Sequence, residues 1–313
     1  MSLLVSAHNP MTGPRHLGHY ASTLSGWEKL SSDHQIVAVI DDLIPALLYP
    51  GARDAIQERT LAVVRECLAM NIDFSGEHHI LLTSMAPEAH ETAFFLSMGM
   101  DFGWAKALYR ESFAGLLSTY QRAELGLART PSLAEVAYPQ CHLAALTLGL
   151  GAETFQGGEE MRGYMDIMAV ASQRYPDLIL PEFLGDATFV LGTDGQHMAS
   201  ENAIFISAPL SEIEDQMRQV RSIAVFENWA SALGSEELQR ALGSKAQASP
   251  EDHLNALQGV AVEVLSGTLR RFRSPSKSDA DIVDILEKSS NFARARLQET
   301  AARLKKQEGI TGF

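Results

Sequence analysis

Two histidines flank a glycine near the start of the chain, in His16-Leu17-Gly18-His19. Residues three apart on a helix share one face, so both imidazoles can reach one ligand group. Imidazole nitrogens donate or accept hydrogen bonds at neutral pH. A phosphate at a helix start is their natural partner, because the helix dipole and free backbone N–H groups favour an anion there. Gly18 has no Cβ, so a flat ring such as adenine can lie against the backbone. The same pair could also sit on a plain surface helix, and the spacing by itself leaves both readings open.

The elements around the histidines narrow the choice. Leu3 to Val5 is a short apolar run of the kind that forms a buried parallel strand. A turn-rich segment with Asn9, Pro10, Gly13 and Pro14 follows, and a helical pattern runs from near His16 toward Leu30. Strand, tight loop and helix start is the geometry that holds phosphate. A second strand, Gln35 to Ile40, ends in Asp41-Asp42, where carboxylates point into the crevice of an open α/β sheet. Asp42 would serve equally as a helix cap. An amphipathic helix is expected over residues 51–70, a third strand over His79 to Thr83, and a further helix after Met85. Trp104 and the methionine stripe Met161, Met165 and Met168 read as core. A helix opens at Pro139 and runs to Leu150, another spans Glu159 to Tyr175, and strands are expected at 178–184 and 188–191. The alternation predicts a Rossmann-like, doubly wound parallel sheet in the α/β class. From Pro209 onward the pattern is helical, with long amphipathic helices at 251–273 and 280–307 and a Gly/Ser-rich link near 232–250.

Bulk properties exclude several classes. The 313 residues suffice for one large domain or two ordinary ones, and 46% hydrophobic content supports a packed core. No long uncharged apolar run predicts a membrane span, and no basic leader with a cleavage site precedes the first strand. Two cysteines, Cys67 and Cys141, make no disulfide framework and read as reduced core residues, so the expected compartment is cytoplasmic. A net charge of −14 argues against broad nonspecific nucleic-acid binding. Arg270, Arg271, Arg273 and Lys277 form the one basic cluster, which reads equally as a phosphate contact or as a solvated helix end.

His16-Leu17-Gly18-His19 matches the H-x-G-H signature of class I aminoacyl-tRNA synthetases. Thr12 to Tyr20, T-G-P-x-H-L-G-H-Y, resembles the tryptophanyl-tRNA synthetase family in particular. The resemblance runs from Val5 to the final helix. It implies a nucleotide-binding catalytic domain over 1–207 and a helical anticodon-binding-like domain over 208–313. It also implies a homodimer using the middle segment, with ATP, Mg2+, an amino acid and tRNA as cofactors and partners. Carried over residue by residue, it implies ATP contacts from Asn9, Pro10, Thr12, Gly18, His19, Gly158, Glu159, His197, Met198 and Ser200. His16 and His19 would act on the α-phosphate. Ser6, His8, Asp42, Tyr138, His142, Ala145, Glu160 and Met161 would line the amino-acid pocket.

The chain departs from the family at two places. The helix that carries an indole-binding Asp in the family has Ala145 or Leu146 here, and His142 replaces an apolar position. The stretch Leu191 to Ser207 resembles G-x-D-G-x-K-M-S-K-S-x-x-N-A-I, yet His197, Ala199 and Ser200 replace Lys, Ser and Lys. No lysine lies between residues 107 and 244. Arg15 is therefore expected, with His197, to clamp phosphate as a fork; the opposing reading makes it a surface residue and the pyrophosphate step lost. Three functions follow from the resemblance: a tryptophanyl-tRNA-synthetase-like ligase with an altered acid, a paralogue in specialised metabolism, or a noncatalytic ATP- or tRNA-binding protein.

Overall fold

Leu3, Leu4 and Val5 are buried within β1 (Ser2–His8), the middle strand of the sheet. The computed structural model describes residues 1–10, 14–45, 53–108, 142–158, 161–185, 189–199, 201–244, 249–273 and 277–310. β2 (His34–Ile40) and β3 (His79–Leu82) extend the sheet on one side of β1. β4 (Thr154–Gly157) and β5 (Glu182–Gly185) extend it on the other. The order is β3-β2-β1-β4-β5 and every pairing is parallel. β2 has the continuous apolar run Ile36 to Ile40, all buried, as a strand covered on both faces requires. The chain winds one way from β1 to β3 and then returns to β4, so the winding reverses between β1 and β4. Ligand crevices of such sheets open at that point, beyond the carboxyl ends of the strands.

Helices cover both faces. Helix Arg53–Leu68 packs Val63, Val64 and Cys67 into one apolar cluster, and helix Gly163–Arg174 packs Tyr164, Ile167 and Met168 into a second. Trp104 is partly buried against the second cluster. The first cluster continues past residue 207 into Ile213, Phe226, Trp229, Leu257 and Ile285.

The last helix, Asp279–Gln307, starts in a capping box between Ser278 and Asp281 and buries Ile285, Ala293, Leu297, Ala301 and Leu304. It lies along edge strand β3, and Ser289 Oγ accepts the Ile80 N–H at 3.1 Å. An edge N–H that would otherwise stay unpaired is thereby satisfied.

Several expectations need correction. The segment after His16 is not one regular helix: Leu17–His19 is α-helical, Tyr20–Leu24 is a π turn, and α-helix resumes over Ser25–Leu30. The strand expected at 178–184 begins only at Glu182. Over 188–191 the described residues form no strand, and Leu191 makes a single bridge to His197. The link near 232–250 contains the helix Glu236–Gly243, which Ser235 caps by accepting the Leu238 N–H at 3.3 Å. Its polar sequence hid one buried anchor, Leu238. The helix expected over 251–273 changes to a 3-10 turn at Arg270–Arg273. Within that basic cluster Arg271 pairs with Glu28 and lies over Phe272, so it is tied to the first helical segment.

Candidate functional site

β1 ends in Ala7 and His8, with Asn9 next in the chain, and β4 ends in Gly157, with Gly158 next. Between these two strand ends lies a cavity of about 100 Å³, at the winding reversal. Its walls also carry Arg15, His19, Ser22, Thr23, Asp41, Met161 and Tyr164.

The histidine turn is built by its own backbone. His16 is the cap residue of Leu17–His19, and its Nδ1 accepts the Gly18 N–H at 3.1 Å. His19 Nδ1 in turn accepts the His16 N–H at 3.2 Å. The two imidazoles therefore play the parts that Ser and Glu play in an ordinary capping box. Their ring centroids lie 3.9 Å apart. Burial, then the Arg15 charge, lowers His16 to about 4 and holds His19 well below its ordinary value. Both rings are neutral at pH 7, and with each Nδ1 accepting, the ring proton sits on Nε2.

Arg15 is 2% exposed, which overturns the surface reading. Its Nη2 donates to the Asn9 carbonyl at 2.5 Å. Its backbone N–H donates to Glu66 Oε2 at 3.1 Å, and Ser207 Oγ donates to Glu66 Oε1 at 2.9 Å. Burial pushes Glu66 up and Arg15 down, and the attraction between the two opposes both shifts. His8 is buried, lowered to about 3 by burial and then by Arg15, and packs edge-on against Trp27.

The second signature segment docks onto the first. Leu17 N–H donates to the Ile204 carbonyl at 2.8 Å, and Ile206 N–H donates to the Arg15 carbonyl at 2.9 Å. His16 and Phe205 form an antiparallel bridge between these bonds. Asn202 holds the loop's shape: its Oδ1 accepts the Ala199 N–H at 2.7 Å and its Nδ2 donates to Asp194 Oδ1 at 2.7 Å. Gly195 has φ +80°, a left-handed turn position that glycine adopts without strain.

Of the residues expected at the site, the cavity brings together His8, Asn9, Arg15, His19, Gly158 and Met161. His16 is partly buried and stacks on His19. Gly18 faces Met198, whose sulfur lies 3.9 Å from where a Cβ would stand. Ser6 is buried behind the cavity, with its Oγ 3.4 Å from His8 Nε2, and Pro10 is buried outside the lining.

Four expected residues stand elsewhere. Asp42, expected to face the crevice, accepts from Ser84 and Thr83, and Asp41 takes the lining position instead. His142 and Ala145 are buried in the helix at 142–149: His142 lies against His90, Ala145 lies in the apolar core, and Leu143 is the residue of this helix that reaches the cavity. His197 is exposed and lies against Phe189, outside the lining. Thr12, Tyr138, Glu159, Glu160 and Ser200 lie outside the described residues, as does Cys141.

Sequence reasoning missed Asp41, Glu66, Ser22, Thr23 and Tyr164. Asp41 stood beside the chosen carboxylate, and Tyr164 lies among the methionines Met161, Met165 and Met168 that read as core. Ser22 and Thr23 sit in the π turn, which side-chain periodicity does not reveal.

Among the described residues no group of three or more His, Cys, Asp or Glu side chains is placed to hold a metal ion. No described helix is long and apolar enough to cross a membrane.

No family model matches the chain. The tryptophan–tRNA ligase of Treponema pallidum is 28% identical over 237 residues, covering 68% of this chain and 62% of that enzyme. The match therefore spans less than two thirds of that relative. Tryptophanyl-tRNA synthetase from Campylobacter jejuni, complexed with ADP and tryptophan, superposes with a TM-score of 0.78 at 17% identity, covering 98% of this chain and 99% of the other. The Mycoplasma pneumoniae enzyme gives 0.77 at 16%, covering 99% and 98%. The sequence is thus similar to tryptophan–tRNA ligases. The five-stranded parallel sheet with its helical C-terminal region has the fold of tryptophanyl-tRNA synthetases.

Proposed function

We propose that this tryptophanyl-tRNA-synthetase-like chain binds ATP in the cavity between β1 and β4 and joins AMP to an amino acid's carboxylate. The observation that carries this reading is the pair of neutral imidazoles, each with its Nδ1 committed to a backbone N–H, beside a buried arginine. Two neutral donors and one fixed cation suit an α-phosphate that gains charge as the carboxylate attacks. Phosphate oxygens would accept from His16 Nε2, His19 Nε2 and the Arg15 guanidinium. Donors already held by backbone bonds need little reorganisation when that charge develops.

The amino acid would lie toward Asp41, Ile44, Leu143, Met161 and Tyr164. With Leu143 facing the cavity and Ala145 in the core, no carboxylate of this helix among the described residues meets an indole N–H. The substrate is therefore proposed to differ from tryptophan. Arg15 takes the charge role left by the missing lysines, and His197 stays outside it. Mg2+ has no protein-side cluster among the described residues, and no step is assigned to it. Transfer to tRNA through a unit over 208–313, a homodimer built through the middle segment, and a cytoplasmic setting belong to the same proposal. They rest on the likeness to tryptophan–tRNA ligases.

ATP–pyrophosphate exchange measured with each of the twenty amino acids tests the reading. Exchange with one of them, lost in Arg15→Ala, supports it. ATP binding without exchange for any acid favours the binding-protein alternative. Exchange without aminoacylation of total tRNA favours a role in specialised metabolism.

A further inference from the structure

One arginine from the C-terminal helical region grips the histidine segment at two points. Arg271 stands in the 3-10 turn that closes helix Pro250–Leu269. Its Nη1 pairs with Glu28, and its Nη2 donates to the Tyr20 hydroxyl at 3.4 Å. The neighbouring Phe272 meets the Tyr20 ring edge-on, with centroids 5.9 Å apart. Tyr20 is buried and follows His19 directly.

The π turn Tyr20–Leu24 lies between the two grips. The Ser25 N–H donates to the Tyr20 carbonyl, five residues back, so the turn holds one residue more than an α-turn. In a regular α-helix the eight steps from Tyr20 to Glu28 would advance about 800°, leaving the two about 80° apart around the axis. The extra residue absorbs about 100° of that rotation and brings both side chains to nearly one face. One guanidinium fork reaches both of them in this register. In a regular helix one half of the segment would be turned by about 100° against the other.

The register also decides what the cavity meets. His19 precedes the turn, Ser22 and Thr23 lie within it, and all three line the cavity. A π turn breaks the α ladder and needs outside support. Gln156 of β4 gives part of it: Oε1 accepts the Trp27 indole N–H at 2.9 Å, and Nε2 donates to the Thr23 carbonyl at 3.5 Å. Arg271 gives the part that spans the turn from one end to the other.

We propose that Arg271 is a positioning residue that selects the π register and thereby sets where His19, Ser22 and Thr23 stand in the cavity. The inference rests on the preceding reading only for what the cavity holds. The Arg271 and Glu28 side chains are 27% and 36% exposed, so solvent screens the pair. Its loss should act on the turn and leave the rest of the fold in place.

Amide hydrogen exchange of the full-length protein, read residue by residue by NMR, decides the matter. In Arg271→Ala the amides of Ala21 to Ser25 should exchange about fivefold faster, the scale of a partly exposed ion pair. Those of helix Asp279–Gln307 should keep wild-type rates. Glu28→Gln, which leaves Arg271 and Phe272 untouched, should give the same local acceleration. Arg271→Glu combined with Glu28→Arg reverses the pair and should restore the wild-type rates that Arg271→Glu alone loses.

Wild-type rates over Ala21 to Ser25 in either folded Arg271→Ala or folded Glu28→Gln overturn the proposal. A reversed pair that exchanges as fast as Arg271→Glu alone overturns it too. Equal acceleration in Asp279–Gln307 marks a general loss of stability and also overturns it. Equilibrium dialysis of ATP against the wild-type protein reports separately on the nucleotide reading, so that reading can fail while the exchange rates still decide on Arg271.

Discussion

The backbone N–H of His16 donates to Nδ1 of His19 at 3.2 Å, so the second histidine of the motif is oriented by the first. Gly18 returns the favour by donating to His16 Nδ1 at 3.1 Å. One local ring of bonds fixes both tautomers and leaves two Nε2–H donors. Asn offers an oxygen where Nδ1 stands and nothing where Nε2 stands. His19→Asn should therefore keep the cap and lose the outer donor. The expected outcome is a melting temperature close to wild type with adenylation slowed by ~10²–10³-fold, the scale of losing one preorganised donor. His19→Ala should lower both.

Gly18→Ala separates the glycine's role from the histidines'. An added Cβ would stand 2.9 Å from both Cε1 and Nδ1 of His16. The imidazole ring must swing aside, breaking its bond to the Gly18 N–H. ATP affinity measured by equilibrium dialysis should fall at least about tenfold, the scale of one lost hydrogen bond to a charged group, while the far-ultraviolet spectrum stays that of the wild type.

Glu66 ties the histidine turn to the second signature segment. Its carboxylate takes the Arg15 N–H on one oxygen and the Ser207 hydroxyl on the other. Glu66→Ala strands the buried Arg15 N–H and the Ser207 hydroxyl, and removes the negative charge that acts on a buried guanidinium. Loss of a buried charge partner costs ~3–5 kcal/mol, so the urea midpoint should drop sharply.

Acid should destabilise the fold once the pH falls below about 6.5, the ordinary value of histidine. His8 is lowered to about 3, His16 to about 4 and His142 to about 3, in each case chiefly by burial. In the unfolded chain each takes a proton near 6.5, so below that pH the unfolded state binds more protons. The stability these groups supply is complete above about 6.5 and declines as pH falls toward the folded values. Asp41, raised to about 6 by burial, acts in the opposite sense, because the folded state takes its proton first. Each histidine removes ~2 kcal/mol by pH 5, and together they outweigh the ~1.4 kcal/mol that Asp41 returns. Chemical denaturation at pH 7 and pH 5 should show a clear loss at the lower value.

Much of this was legible in the chain because strong local patterns carried it. The apolar runs of β1 to β3, the glycine between two histidines and the capped final helix each state their structure within a few residues. The short strands β4 and β5 were less legible, because four residues carry little periodicity. Asp41 and Asp42 show the limit most clearly. They are adjacent, yet one faces the cavity and the other turns to Ser84, a choice set by β3 and not by the residues themselves. Glu66 was invisible for a similar reason, since its partners Arg15 and Ser207 lie far from it in sequence.

A crystal structure with ATP soaked into the cleft reaches the centre of the account. Phosphate oxygens within hydrogen-bond distance of Nε2 of His16, Nε2 of His19 and the Arg15 guanidinium are expected, with the base against Gly18. A nucleotide bound elsewhere, or a cleft that stays empty at saturating ATP, would contradict it.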